Sequence, residues 1–340
     1  YRKNVTPTDG PFRPFTEKLH RKDNLLSMRD QIQYNQLMGN ATSLGGVYAA
    51  VVTPLKPDLT IDMDGINRIL RFLAGRGCHG ALLMGTTGEG PSFSSGERIS
   101  LFQAAAEVRQ TLPGFKLLAG TGTPSLDETI QLTKKAFDLG CDGVVVLPPY
   151  YYRKATDQGL YQWFAQVLDR AVPQDGKLLG YHIPPMTSMG FSLELLAKLK
   201  EVYRDQFAGI KDSSGDVAWA RKLGIEFGKD LVVFTGNDRL FTHALRSGAS
   251  GCITAMANLL SPMLRTVWDK AQSGNPDEVI QDKLSAAREV LDRYTPFPPL
   301  LKMMLSRLHG FECWNVKPPL LEFDPARIEI VISEFLASLE

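Results

Sequence analysis

Cysteine is scarce in this chain and histidine hardly more frequent, with four of the first and five of the second among 340 residues. Cys78, Cys141, Cys252 and Cys313 stand far apart and never form a Cys-x-x-Cys pair. That spacing offers neither a zinc knuckle nor a dithiol redox motif, so the thiols read as reduced and mostly buried. His20, His79, His182, His243 and His309 include no pair at metal-ligand spacing and no His-Glu-x-x-His helix, which leaves metal catalysis without support. Long apolar runs are missing too: none approaches the roughly 18 residues of a membrane span, and the first residues lack the charged-then-apolar order of a secretory signal. Charge of one sign is not in excess, since 38 Lys and Arg meet 37 Asp and Glu for a net charge of +1. No basic stretch interleaves with aromatics as a nucleic-acid surface would. The expectation is a soluble, cytoplasmic protein whose partners are small or anionic metabolites, with no nucleic acid and no membrane.

What the chain has in quantity is alternation. From about Gly46, short β-branched or apolar runs trade places with longer amphipathic segments, the pattern of parallel strands joined by helices. Eight strands are expected, over 48–53, 81–84, 117–120, 143–147, 178–181, 209–211, 232–235 and 251–254. Helices are expected between and after them, over 62–74, 96–112, 126–139, 158–171, 192–202, 216–227, 240–247 and 262–272. Asp62, Ser125, Ser192 and Asp216 stand at helix starts as capping residues. Eight such units close an α/β barrel of the (β/α)8 TIM type, here spanning 45–274. Three further helical patterns (277–293, 299–308, 325–339) make a C-terminal helical appendix, 275–340, too short to fold alone. Residues 1–44 are polar with scattered prolines and read as an extension, either unstructured or an arm laid on a neighbour.

Lys211 ends the apolar run Phe207-Ala208-Gly209-Ile210, which sets a lone amine where a buried strand opens into the barrel mouth. An ordinary lysine titrates near about 10.4, so attack on a carbonyl at neutral pH requires lowering that value by ~3, roughly 4 kcal/mol of desolvation and neighbouring charge. Two other segments reach the same rim, because in a β/α barrel chemistry sits where strands run into the following loops. Gly85-Thr86-Thr87-Gly88-Glu89 follows the second strand, and Tyr181 ends the fifth. A glycine-rich turn leaves its N–H groups unblocked and, with the hydroxyls of Thr86 and Thr87, suits the carboxylate of a 2-oxo acid. Each of these signals alone also fits a plain turn or core packing. Gly120-Thr121-Gly122 after the third strand lacks the third glycine of a dinucleotide fingerprint, Ser125 standing there.

Several motifs recur in the order and spacing of one family: Val52-Thr53-Pro54, Gly85-Thr86-Thr87-Gly88-Glu89, Ala119-Gly120-Thr121-Gly122, Pro149-Tyr150-Tyr151, Gly159-Leu160-Tyr161, Tyr181-His182-Ile183-Pro184, Gly209-Ile210-Lys211-Asp212 and Gly236-Asn237-Asp238. Over about residues 46–339 the chain resembles the dihydrodipicolinate synthase and N-acetylneuraminate lyase family of pyruvate-dependent class I aldolases. The resemblance implies a metal-independent carbon–carbon lyase with no cofactor beyond the covalent imine on Lys211. It makes Tyr181 the proton-transferring phenol, Thr86 and Thr87 the carboxylate-binding turn, and Tyr151 a residue lent to a neighbour's site and relayed to Tyr181 through Thr86. That last role implies a homo-oligomer, a dimer or tetramer. The bland reading of Tyr150, Tyr151 and Tyr152 is an aromatic cluster packing a loop.

Departures from the family pattern bear on the second substrate. Synthases carry an arginine shortly after Tyr-x-x-Pro, where this chain has Met186, and a methionine cannot pair with a carboxylate. Sialate lyases place an acidic pair after the seventh strand, whereas here Asp238 is followed by Arg239. Asp238 and Arg239 are open to two readings, substrate contacts or helix caps and surface ion pairs. Gly236, Ile253 and Ala255 complete the expected substrate pocket with Met186, Asp238 and Arg239. The reading is a Schiff-base lyase that makes or breaks a carbon–carbon bond between pyruvate and an aldehyde. Alternatives are dihydrodipicolinate synthase itself, a 2-oxo-acid dehydratase or decarboxylase using the same imine, and a non-catalytic 2-oxo acid sensor.

Overall fold

Across residues 44–340, which the computed structural model describes, the alternation resolves into eight strands in a closed barrel, each hydrogen-bonded to the next in sequence. The first half comprises β1 (Gly46–Ala50), α1 (Met63–Gly75), β2 (Gly80–Leu83), α2 (Ser95–Arg109), β3 (Lys116–Gly120), α3 (Leu126–Asp138), β4 (Gly143–Val146) and α4 (Asp157–Ala171). The second comprises β5 (Leu178–His182), the single turn α5 (Pro184–Thr187), α6 (Leu193–Val202), β6 (Phe207–Asp212), α7 (Val217–Phe227), β7 (Val232–Thr235), α8 (Phe241–Arg246), β8 (Gly251–Thr254) and α9 (Ala257–Gln272). Then come α10 (Glu278–Asp292), α11 (Phe297–His309) and α12 (Ile328–Ala337). The fold is the expected TIM barrel with C-terminal helices.

Side chains alternate along each strand, so every second residue enters the barrel. Tyr48, Leu82, Leu118, Val145, Leu179 and Phe234 belong to the inner cluster, while Val47, Ala81, Leu117, Val144 and Ile210 belong to the layer shared with the helices. The barrel closes where β8 pairs with β1, Gly46 opposite Gly251. A Cβ at Gly251 would stand 1.9 Å from the Gly46 carbonyl oxygen, so glycine is required for the two backbones to meet there.

Boundaries differ from expectation where side chains take over from the ladder. β1 ends at Ala50 rather than 53 because Asn258 intervenes: its Nδ2 donates to the Ala50 carbonyl at 2.8 Å and its Oδ1 accepts from Val52 N at 3.4 Å. α9 starts at Ala257 rather than 262; Leu260 leaves helical geometry (φ −118°, ψ 28°), and Pro262 follows in a fresh turn that asks nothing of its missing N–H. Ser125, Ser192 and Asp216 cap α3, α6 and α7 through their side-chain oxygens. Asp62 precedes α1 without capping it, because its carboxylate accepts from Trp314 Nε1 at 3.3 Å and faces Arg68 at 3.7 Å.

The C-terminal helices are bound to the barrel by buried polar contacts as well as apolar ones. Arg288 of α10 donates to Asp238 at 2.7 Å, and Lys302 of α11 donates to Glu89 at 2.5 Å. The extension expected over 1–44 lies outside the described residues apart from Leu44, which is buried. Among the described residues no helix is long and apolar enough to cross a membrane, and Cys78, Cys141 and Cys252 are buried free thiols while Cys313 is exposed.

Candidate active site

Parallel pairing of β5 with β6 sets Tyr181 opposite Lys211. The two side chains enter the barrel together: Lys211 Nζ lies 4.2 Å from the centroid of the Tyr181 ring, with 3% and 4% of the two residues exposed. The phenol oxygen reaches Thr86 Oγ1 at 3.3 Å, joining β5 to the turn after β2. Burial pushes the Tyr181 phenol up, but the neighbouring Lys211 charge and hydrogen bonds with Thr86, Ser213 and Lys211 outweigh it and hold the phenol below its ordinary value.

Ser213 was not singled out in the sequence. Its signal was parity: two residues beyond Lys211, it falls on the same face of the chain. Its hydroxyl needs the room that Gly236 leaves, since a Cβ at 236 would stand 1.9 Å from Ser213 Oγ. Between them Asp212 points the other way; burial raises its carboxyl to about 6, against a hydrogen bond from Ser214 N at 3.0 Å. His182, buried and brought down to about 4 by desolvation, accepts from Phe191 N at 3.0 Å and stacks on Trp219. It is therefore neutral near pH 7.

The turn carrying Thr86 and Thr87 is held tightly. Glu89 N donates to Thr86 O at 3.1 Å, Gly90 N to Gly85 O at 3.0 Å, and Thr53 Oγ1 to Gly88 O at 2.7 Å. Arg98, buried and lowered by that burial, gives two hydrogen bonds to Gly90 O. Met84 and Glu89, at either end, adopt φ of +53° and +57°, a left-handed conformation uncommon outside glycine and concentrated at functional sites. Met84, Thr86, Arg98, Leu147 and Tyr181 line a cavity of about 20 Å³, room for about one water. A larger one, about 300 Å³, opens beside Arg109, Lys116 and Asp142 at the opposite end of the barrel, where strands begin.

Not every expected residue joins this cluster. Ile253 faces the barrel interior, and Ala255 is half-buried just past β8. Met186 sits on α5 with 70% of its surface exposed, and Tyr151, 74% exposed, packs edge-on against Tyr152. Within the chain Tyr151 makes no hydrogen bond to Thr86 or Tyr181 among the described residues. Asp238, expected to take a substrate hydroxyl, is fully buried and salt-bridged to Arg288; burial raises its carboxyl against the pull of Arg288. Through Arg288 it ties the loop after β7 to α10. Arg239, open to a substrate carboxylate or a surface ion pair, pairs with Glu289 of the same helix at 3.1 Å. Among the described residues no group of three or more His, Cys, Asp or Glu could hold a metal ion.

The profile of the Dihydrodipicolinate synthetase family matches residues 43–329. The chain belongs to the dihydrodipicolinate synthetase family. It is 37% identical, over 81% of its length and 91% of the relative's, to an uncharacterized DapA-like lyase of Chloroflexus aurantiacus. It is 31% identical, over 86% and 97%, to a 4-hydroxy-tetrahydrodipicolinate synthase of a Cyanothece species. The solved structure of DHDPS from Cyanidioschyzon merolae with lysine bound superposes with a TM-score of 0.80 at 25% identity, covering 88% of this chain and 99% of that one. As a dihydrodipicolinate synthetase family member, the protein is a pyruvate-dependent class I aldolase or lyase acting on carbon–carbon bonds.

The charge environment of Tyr181 is testable without substrate. By ultraviolet difference titration, with Tyr181→Phe as the blank, the Tyr181 phenol should ionise below the ordinary tyrosine value of about 10. In Lys211→Met, burial is opposed only by the Thr86 and Ser213 hydrogen bonds, so the transition should move upward. An unmoved transition in Lys211→Met would show that the lysine does not govern the phenol.

Proposed function

We propose that Lys211 is the nucleophile of this lyase, forming an imine with the keto carbon of pyruvate. The observation that carries the reading is the buried Lys211 amine in register beside a Tyr181 phenol that is itself hydrogen-bonded to Thr86. Lys211 Nζ attacks the carbonyl carbon, the oxygen leaves as water after taking two protons, and the C–N double bond forms. Loss of a proton from the methyl carbon gives the enamine, which attacks the carbonyl carbon of an aldehyde; the aldehyde oxygen takes a proton and water releases the product. Tyr181 carries protons to and from the departing oxygen and the aldehyde oxygen, a task worth about 10² to 10⁴ in rate. Thr86, Thr87 and their N–H groups receive the pyruvate carboxylate.

Tyr151, three-quarters exposed, fits a residue given to a neighbouring copy, which supports a homo-oligomer as the working form; the site of action is taken to be the cytoplasm. Met186 fits an aldehyde that brings no carboxylate to that position, since its thioether offers no cation. Arg239 is held by Glu289 only in an exposed pair, which contributes little. The absence of a cation at 186 favours an uncharged, hydroxylated or apolar aldehyde over aspartate semialdehyde, the synthase reading favoured by the names of several relatives.

Incubation with pyruvate and borohydride should add one reduced pyruvyl group to wild type, on Lys211, and none to Lys211→Ala. Tyr181→Phe should keep the label at saturating pyruvate while turnover falls by about 10² to 10⁴. Labelling that survives in Lys211→Ala would remove the lysine from the mechanism. For the second substrate, the specificity constant for aspartate semialdehyde should be low in wild type and rise about tenfold or more in Met186→Arg, as a charge-assisted pair is worth a few kcal/mol. A wild type already efficient with aspartate semialdehyde would restore the synthase reading.

A further inference from the structure

Glu89 closes the Thr86–Thr87 turn, and its carboxylate is buried against the C-terminal region. Both of its oxygens are engaged by the C-terminal region: Oε1 accepts from Lys302 Nζ at 2.5 Å and Oε2 from the backbone N–H of Lys317 at 2.8 Å. The Glu89 and Lys302 side chains are 0% and 1% exposed. Lys302 Nζ also donates to the Asn315 carbonyl at 2.6 Å. Lys317 Nζ in turn donates to Glu97, whose carboxylate also accepts from Ser94 N in the capping box of α2, and lies 4.5 Å over the Phe93 ring. Burial lowers Lys302 while Glu89 raises it, and burial prevails. Glu89 nevertheless holds left-handed backbone that a non-glycine residue adopts at a cost, and the same residue's N–H donates to the carbonyl of Thr86.

We propose that Lys302, through Glu89, is a positioning residue for the pyruvate carboxylate site, so that the C-terminal region sets the place of the Thr86 and Thr87 hydroxyls. A buried ion pair contributes little net stability but is costly to break singly, which makes it a rigid reference between two distant segments. Thr86 is the second link, since its hydroxyl meets Tyr181 at 3.3 Å. Release of Glu89 should loosen both the carboxylate site and the hydrogen bond that helps to lower the Tyr181 phenol. The effect on pyruvate rests on the functional reading given above; the effect on Tyr181 does not.

The test compares wild type with Lys302→Met and with the double variant Glu89→Gln/Lys302→Met, in which no unpaired buried charge remains, so that folding should survive even where the single variant fails. In whichever variant folds, KM for pyruvate should rise about tenfold to hundredfold with a smaller change in kcat, and the Tyr181 transition, read without substrate, should move upward. Lys302→Arg, which keeps the charge, should restore part of both. A folded variant with wild-type KM and an unmoved Tyr181 transition overturns the proposal. If pyruvate and borohydride fail to label the wild type, the functional reading falls, and the Tyr181 transition alone decides the positioning role.

Discussion

The parallel register between β5 and β6 is the constraint on which the site depends. With Tyr181 opposite Lys211, after a register irregularity at Leu178/Leu179 where the pairing passes from Phe207 to Gly209, the amine, the phenol and Ser213 fall on one face of two adjacent strands. A slip of one residue in either strand would turn one partner into the helical layer. The barrel guards against it by closure: each strand is fixed from both sides, and the last contact, Gly46 with Gly251, tolerates no side chain.

Polar contacts then tie the strand-end loops to the C-terminal helices at two places. Arg288 takes Asp238 after β7, and Lys302 takes Glu89 after β2. Both acidic residues stand in motifs at the rim where chemistry is done, and each carboxylate is paired with a cation of the C-terminal helices. The region beyond the eighth strand thus acts as a brace for two of the loops that frame the site. Desolvation of such pairs offsets most of their attraction, so their contribution is to geometry more than to stability.

Much of this was legible in the sequence. Alternating strand and helix patterns gave eight units, and strand-end positions brought Lys211, Tyr181 and Thr86 to one rim. Local periodicity carries that information because each element's inner face is written in its own residues. The pairings that the sequence left dark join residues far apart: Asp238 and Arg288 are 50 positions apart, Glu89 and Lys302 are 213. Nothing in a local pattern says whether an acidic residue at a strand end faces a ligand or a distant cation, which is why the sequence leaves Asp238 and Arg239 open between substrate contacts and caps or ion pairs. Asn258, which ends β1 early, escaped for the same reason.

The central claim is that an imine on Lys211 turns the methyl group of pyruvate into a carbon nucleophile with Tyr181 at hand to move protons. Proton NMR of pyruvate in deuterated buffer, with catalytic amounts of enzyme and no aldehyde, reads that step alone. The account predicts enzyme-dependent exchange of the methyl protons for deuterium in wild type and none above background in Lys211→Ala. Exchange that persists in Lys211→Ala, or a wild type that leaves the methyl protons untouched, would contradict it.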